Sequence, residues 1–259
     1  MSEDKYTKID KHINKLSKSK DIATLYNEDL VNWSGPQNPS DDHPYYSNYI
    51  AEKLFETHDI DNLFSKIEGS KRNNYFVGEH NGVIENFTKR KEEIFAKSLL
   101  SHDIQNLGTI IDYQMPLNGK QTDHFGKIDL VSLHADANTA YIIELKMNLV
   151  DYDVETVLRA ALEIETYYNA LIKNQQHFIK YIEAKIEERY SNKTHPFQSI
   201  NTDKIGIRKA VLFAYDDESG LPKELKEENI GYYQSLKKLL VHLGIYVYVM
   251  PYRYPVQKY

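Results

Sequence analysis

Two periodicities alternate along the chain. In some segments apolar residues recur every three or four positions, the signature of a helix packed on one face; in others they run nearly unbroken, as buried strands do. Ile9, Ile13 and Leu16 predict an amphipathic helix near the N-terminus. A loop rich in Pro and Gly follows from Trp33 to Tyr46, and Asp41, Asp42 and His43 read as loop residues within it. Ile50, Leu54, Phe55, Leu63, Phe64 and Ile67 predict one helix over residues 49–67, and a further helix is expected over residues 82–101. Three strands come next, at 108–119, 126–134 and 139–147, the last two joined by the turn HADANT. Short turns make these three an antiparallel meander. The helical period returns with Val154, Leu158, Ala161, Leu162, Tyr168, Leu171 and Ile172, predicting one long helix from about residue 153 into the 180s. A loop at 193–203, containing His195, leads to a strand at 209–215, a helix at 229–243 and a last strand at 245–250. The order α-β-β-β-α-β-α-β is that of an α/β protein. Residues 1–80 read as a helical N-terminal extension and residues 81–259 as the main domain.

The meander carries charge where apolar residues are expected. Ile128, Leu130 and Val131 surround Asp129; Tyr141, Ile142, Ile143 and Leu145 surround Glu144, and Lys146 follows. Side chains alternate across a strand, so Glu144 and Lys146 share a face, and pairing through the tight turn can set Asp129 beside Glu144. Two carboxylates and an amine would then converge at an edge of the sheet, the chemistry of a divalent-metal hydrolase acting on phosphodiesters. On a helical wheel through the preceding helix, Glu92 falls on the buried stripe with Ile84, Phe95 and Leu99, whereas Glu93 lies nearly opposite. Glu85, earlier on the same side, competes with Glu92 for any role at the site. The blander reading of Glu92 is a rim glutamate paired with Lys89 or Lys91.

Asp129 on one strand and Glu144-Leu145-Lys146 on the next resemble the signature of the PD-(D/E)XK nuclease superfamily, although Ile128 stands where the motif name has Pro. The supporting context is Gly126, an apolar strand on each side, a short hairpin and a helix immediately after. The resemblance implies a restriction-endonuclease-like core, with a central mixed β-sheet flanked by helices. It also implies Mg²⁺, or Mn²⁺ in its place, held by Asp129, Glu144 and the Leu145 backbone carbonyl, with Glu92 nearby. Lys146 would orient the attacking water or stabilise charge on the phosphate. In the branch similar to RecB-type nucleases, the helix after the Lys strand carries Gln-x-x-x-Tyr; here Glu163 and Tyr167 stand at those positions and share one helix face. They are accessory candidates, against the plainer alternative of a surface Glu and a packing Tyr.

Composition limits the alternatives. With 259 residues, 41 % hydrophobic and 27 % charged, the chain can bury a sizeable core. No apolar run is long enough for a membrane span, no secretory leader is expected, and the absence of cysteine excludes disulfides and thiolate zinc sites and suits a reducing cytoplasm. The net charge of −6 means that no bulk basic patch argues for nucleic acid. Gly-rich phosphate loops, nucleophile elbows and His/Cys clusters are absent from the sequence. The expectation is therefore a metal-dependent nuclease acting on DNA, with no membrane partner and with a homodimer compatible with it. A nuclease fold that binds nucleic acid or protein without cutting is the alternative.

Overall fold

The computed structural model describes residues 4–16, 21–33, 35–36, 39–40, 43–75, 91–117, 126–148, 155–190, 196–216 and 220–252. Its centre is one six-stranded mixed sheet in sequential order, β1 (Asp103–Ile104), β2 (Gly108–Pro116), β3 (Lys127–His134), β4 (Thr139–Asn148), β5 (Gly206–Tyr215) and β6 (Ile245–Pro251). Strands β1 to β4 pair antiparallel, while β4–β5 and β5–β6 pair parallel. Antiparallel neighbours need only a turn. Asn138, in the left-handed region at φ 45°, closes the β3–β4 turn with its N–H donated to Ala135 O. Parallel neighbours need a crossover, supplied by α5 (Val157–Ile172) and α6 (Gln175–Tyr190) before β5 and by α7 (Gln234–Leu243) before β6. Gly244, at φ 64°, caps α7 and turns the chain directly into β6.

Both faces of the sheet are covered, which is why β3 and β4 are apolar almost throughout. On one face Phe95 and Ala96 of α4 (Lys91–Ser98), with Leu99 just beyond it, pack with Tyr113, Leu130, Tyr141, Ile143, Leu145 and Leu212. On the other lie α1 (Lys5–Leu16), α2 (Tyr46–Thr57), α3 (Ile60–Ser65), α5, α6 and α7, joined in one core with Val131, Ala140, Ile142 and Phe213. The N-terminal helices also bond directly to the rest: Asn48 Oδ1 accepts the N–H groups of Ser235 and Leu236, and Val31 O accepts the Thr156 hydroxyl at 2.6 Å.

Several boundaries differ from the sequence reading. The single helix over 49–67 is two, α2 and α3, because Asp59 stops one and caps the next by accepting the Asn62 N–H. The long helix from about 153 is also two. It starts later, with Thr156 as its cap, and breaks at Lys173-Asn174, where Lys173 Nζ is drawn to Ser65 O and Ile67 O. Residues 227–232 form a 3₁₀ turn ahead of α7, and β1 is an additional short strand. In the expected 82–101 helix, α4 is the described part; Ile84, Glu85 and Lys89 lie outside the described residues, as do Asp41, Asp42 and His195. The charged strands β3 and β4 are central in the sheet, not at its edge. Among the described residues no helix is long and apolar enough to cross a membrane.

Candidate functional site

Strand alternation builds the site. Tyr141, Ile143 and Leu145 face α4, so Glu144, Lys146 and Asn148, at the carboxyl end of β4, share the α5 face. All three are buried, with Glu144 3 %, Lys146 7 % and Asn148 1 % exposed. The Leu130↔Ile143 register, extended by one residue, sets Asp129 opposite Glu144. Asp129 is held at both oxygens: Gln114 Nε2 donates to Oδ1 at 2.7 Å and the Leu145 N–H to Oδ2 at 3.0 Å. Gln114 reaches it from β2 with a left-handed backbone, φ 50°.

The Lys146 ammonium has three donors and meets three carboxylates: Glu144 Oε1 at 2.7 Å, Glu163 Oε2 at 2.9 Å and Glu155 Oε2 at 3.1 Å. Glu163 lies on α5, and Tyr167, one turn later, donates its hydroxyl to Glu163 Oε1 at 2.8 Å. The Tyr26 ring stands edge-on to Tyr167 at 5.9 Å. Gly126 leaves room here: an added Cβ would meet the Tyr167 hydroxyl, which would have to shift. Glu155 is fixed by Asn148, whose Oδ1 accepts the Glu155 N–H at 3.2 Å and whose Nδ2 donates to Glu155 O at 3.4 Å. Glu92 comes from α4 and accepts the Met147 N–H, close enough to feel Asp129, Lys146 and Glu155. Glu93 points elsewhere and pairs with Lys97 at 3.5 Å.

So many carboxylates around one ammonium cannot all ionise freely. Burial, reinforced by the charge of Asp129, pushes Glu92 up to about 7, against the pull of Lys146 and the Met147 N–H. Burial also pushes Asp129 up to about 6, although Lys146 and the Leu145 N–H oppose it. Glu144 is raised well above the usual carboxylate range by burial and by Asp129 and Glu163. Glu163 is the exception: burial would raise it, but Lys146 and the Tyr167 hydroxyl bring it below its ordinary value. Burial would lower Lys146; the surrounding carboxylates outweigh that and hold it well above its ordinary value. Glu144 lies within hydrogen-bonding reach of Asp129 and Glu163 only where a proton is shared, and its Oε2 is buried with no donor.

Asp129, Glu144, Lys146, Glu92, Glu163 and Tyr167 therefore come together. Leu145 contributes its N–H to Asp129. The sequence reading missed Gln114, Asn148, Glu155 and Tyr26. Asn148 was visible in principle as the next residue on the Glu144–Lys146 face; Glu155 and Gln114 carry no pattern of their own. Among the described residues no three acidic or histidine side chains are already disposed as metal ligands. The reason is local: Lys146 draws Glu144 and Glu163 to itself, and Gln114 and Leu145 occupy both oxygens of Asp129. The donor chemistry nevertheless fits a hard divalent cation: carboxylate oxygens in excess, raised pKa values, and a buried Glu144 oxygen without a donor. Comparison with protein-family models, with curated proteins and with solved structures gave no match to this chain.

Proposed function

We propose that the chain is a metal-dependent nuclease that hydrolyses phosphodiester bonds, with DNA as its nucleic acid, and that its sheet is a restriction-endonuclease-like core of the PD-(D/E)XK type. The observation that carries the reading is the buried Asp129–Glu144–Lys146 set on adjacent central strands, with one Glu144 oxygen lacking any donor. An acid surplus of this kind is unfavourable unless a cation relieves it. The supporting context is the meander followed by a helical crossover to a parallel strand.

In this reading Asp129, Glu144 and the Leu145 carbonyl hold Mg²⁺ or Mn²⁺, with Glu92 beside them. The chemistry supplied by such a cation when bound is a lowered pKa for a coordinated water and neutralisation of phosphate charge. Lys146 supplies a permanent positive charge and a donor for that water or for the phosphate oxygen. Glu163 holds the ammonium, and Tyr167 holds Glu163. The packing on both faces excludes bulk water from Asp129 and Glu144, which strengthens each of these interactions.

One observation favours a rival. The ion-pair cage is closed around Lys146, as it would be in a nuclease fold that binds without cutting. The experiment is incubation of purified protein with supercoiled, linear and single-stranded DNA and with RNA, in Mg²⁺, in Mn²⁺ and in chelator. Cleavage of DNA that needs the metal supports the nuclease reading; salt-sensitive binding with no cleavage under any condition supports the rival.

A further inference from the structure

Glu155 is the acidic residue of the site that no motif explains, and the chain goes to unusual lengths to fix it. Asn148 is buried on the same strand face as Glu144 and Lys146, and both atoms of its amide are used on the backbone N–H and C=O of Glu155. Arg159 Nη1 steadies Glu155 Oε1 from one turn into α5, at 3.4 Å. The other oxygen, Oε2, lies 3.1 Å from Lys146 Nζ as an ion pair and accepts no hydrogen bond, so it is held there by charge alone. Glu144, Glu155 and Glu163 thus surround the ammonium within ion-pair distance.

We infer that Glu155 is a positioning residue that retains Lys146 when Glu144 turns from the ammonium to a bound divalent cation. This rests on the metal-dependent reading above. Glu163 alone offers the ammonium one oxygen, Oε2, because Oε1 accepts from Tyr167. With Glu155 and Glu163 both in place, Lys146 gives up Glu144 and keeps two partners. The donor released by Glu144 is then turned toward the position Glu144 has left, beside the reacting groups. Without Glu155 the ammonium keeps only Glu163 besides Glu144, and any cation must compete with a tighter Glu144 ion pair.

The test is calorimetric titration of Mn²⁺ into the full chain, as wild type, Glu155→Gln and Glu155→Asp, each also in a Lys146→Met background, with thermal melts to verify folding. Glu155→Asp keeps the charge but withdraws the carboxylate by one methylene, so it separates contact from charge. Both Glu155 variants are expected to weaken Mn²⁺ binding about 10-fold, as loss of a partner to a metal-site residue does. In the Lys146→Met background the same substitutions should change it by less than about twofold. Wild-type affinity in Glu155→Asp overturns the inference, and so does an undiminished loss in the Lys146→Met background; either makes Glu155 a distant charge. A wild-type chain that takes up no Mn²⁺ overturns the metal-dependent reading itself, so the two failures are distinguishable.

Discussion

Among the described residues three lysines are buried, and two of them differ from the third in one respect. Lys185 on α6 is fully buried against Asp112 on β2 at 3.4 Å and Glu188 at 3.0 Å, with the Tyr181 hydroxyl donated to Asp112 Oδ2 at 2.6 Å and the Tyr113 N–H to Oδ1 at 2.9 Å. Lys209 on β5 meets Glu165 on α5 at 2.6 Å, where Asn169 donates to the second oxygen and the Tyr168 ring lies under the ammonium at 4.3 Å. In both, each buried carboxylate oxygen facing the lysine has a donor. Around Lys146 there are three carboxylates in contact, Asp129 and Glu92 close behind, and a Glu144 oxygen with no donor. A satisfied buried pair ties elements together; a surplus of negative charge is a place prepared for something positive.

The sharpest way to break this contrast is Asp129→Ala. At the Lys146 cluster it should abolish metal binding and cleavage together, with a rate loss of about 100-fold or more, read by Mn²⁺ titration and by nuclease assay on protein shown to be folded. Asp112→Ala in the other cluster should leave cleavage untouched. Retained metal binding in Asp129→Ala would remove the site from the β3–β4 pair.

Stability should show the converse. Lys185→Ala leaves Asp112 buried without its cation and should lower unfolding free energy by about 3–5 kcal/mol in denaturant titrations. A loss below about 1 kcal/mol would mean that water reaches the pair.

Metal-free protein should also respond to pH in a direction set by the acid surplus. Glu92 is raised from 4.5 to about 7 by burial and by Asp129. The folded state therefore binds protons more tightly than the unfolded one there. Stability is full below the unfolded pKa and falls as pH rises through that window. Glu92→Gln should remove the fall and stabilise the metal-free protein at pH 8 by on the order of 1–3 kcal/mol. Melting curves in chelator from pH 5 to pH 8 check it; a wild-type Tm that rises across the range contradicts the raised carboxylates.

The smallest effect belongs to the outermost contact. Tyr167→Phe removes one hydrogen bond to Glu163 and should cost about 1 kcal/mol of stability and about fivefold in cleavage rate, leaving metal affinity unchanged. A rate equal to wild type would make Tyr167 a packing residue under Gly126.

The core of the site was legible in the sequence because strand alternation is rigid. Once β3 and β4 are read as neighbours across a short turn, Asp129, Glu144 and Lys146 have little freedom about where they point. Glu92 and the Glu163–Tyr167 pair were reachable through helical spacing. Glu155 was not, because it lies just ahead of the Thr156 cap, where no period constrains a side chain, and its orientation depends on Asn148. Gln114 was hidden for a similar reason: its left-handed backbone interrupts the alternation of β2. The helix breaks at His58-Asp59 and Lys173-Asn174 escaped because the apolar period continues across them, while local capping and tertiary bonds end the helices.

The most direct test of the central claim is the rate of Mg²⁺-dependent DNA cleavage by Lys146→Ala beside wild type, with Mn²⁺ affinity measured on the same preparations. In the proposed reading Lys146 would act on the water and the developing charge, not on holding the cation, so its loss should fall on kcat. The account predicts cleavage reduced about 100-fold or more, with metal affinity equal to or slightly above wild type. Wild-type cleavage by Lys146→Ala would contradict it, leaving Glu144 and Lys146 as one more structural ion pair in the core.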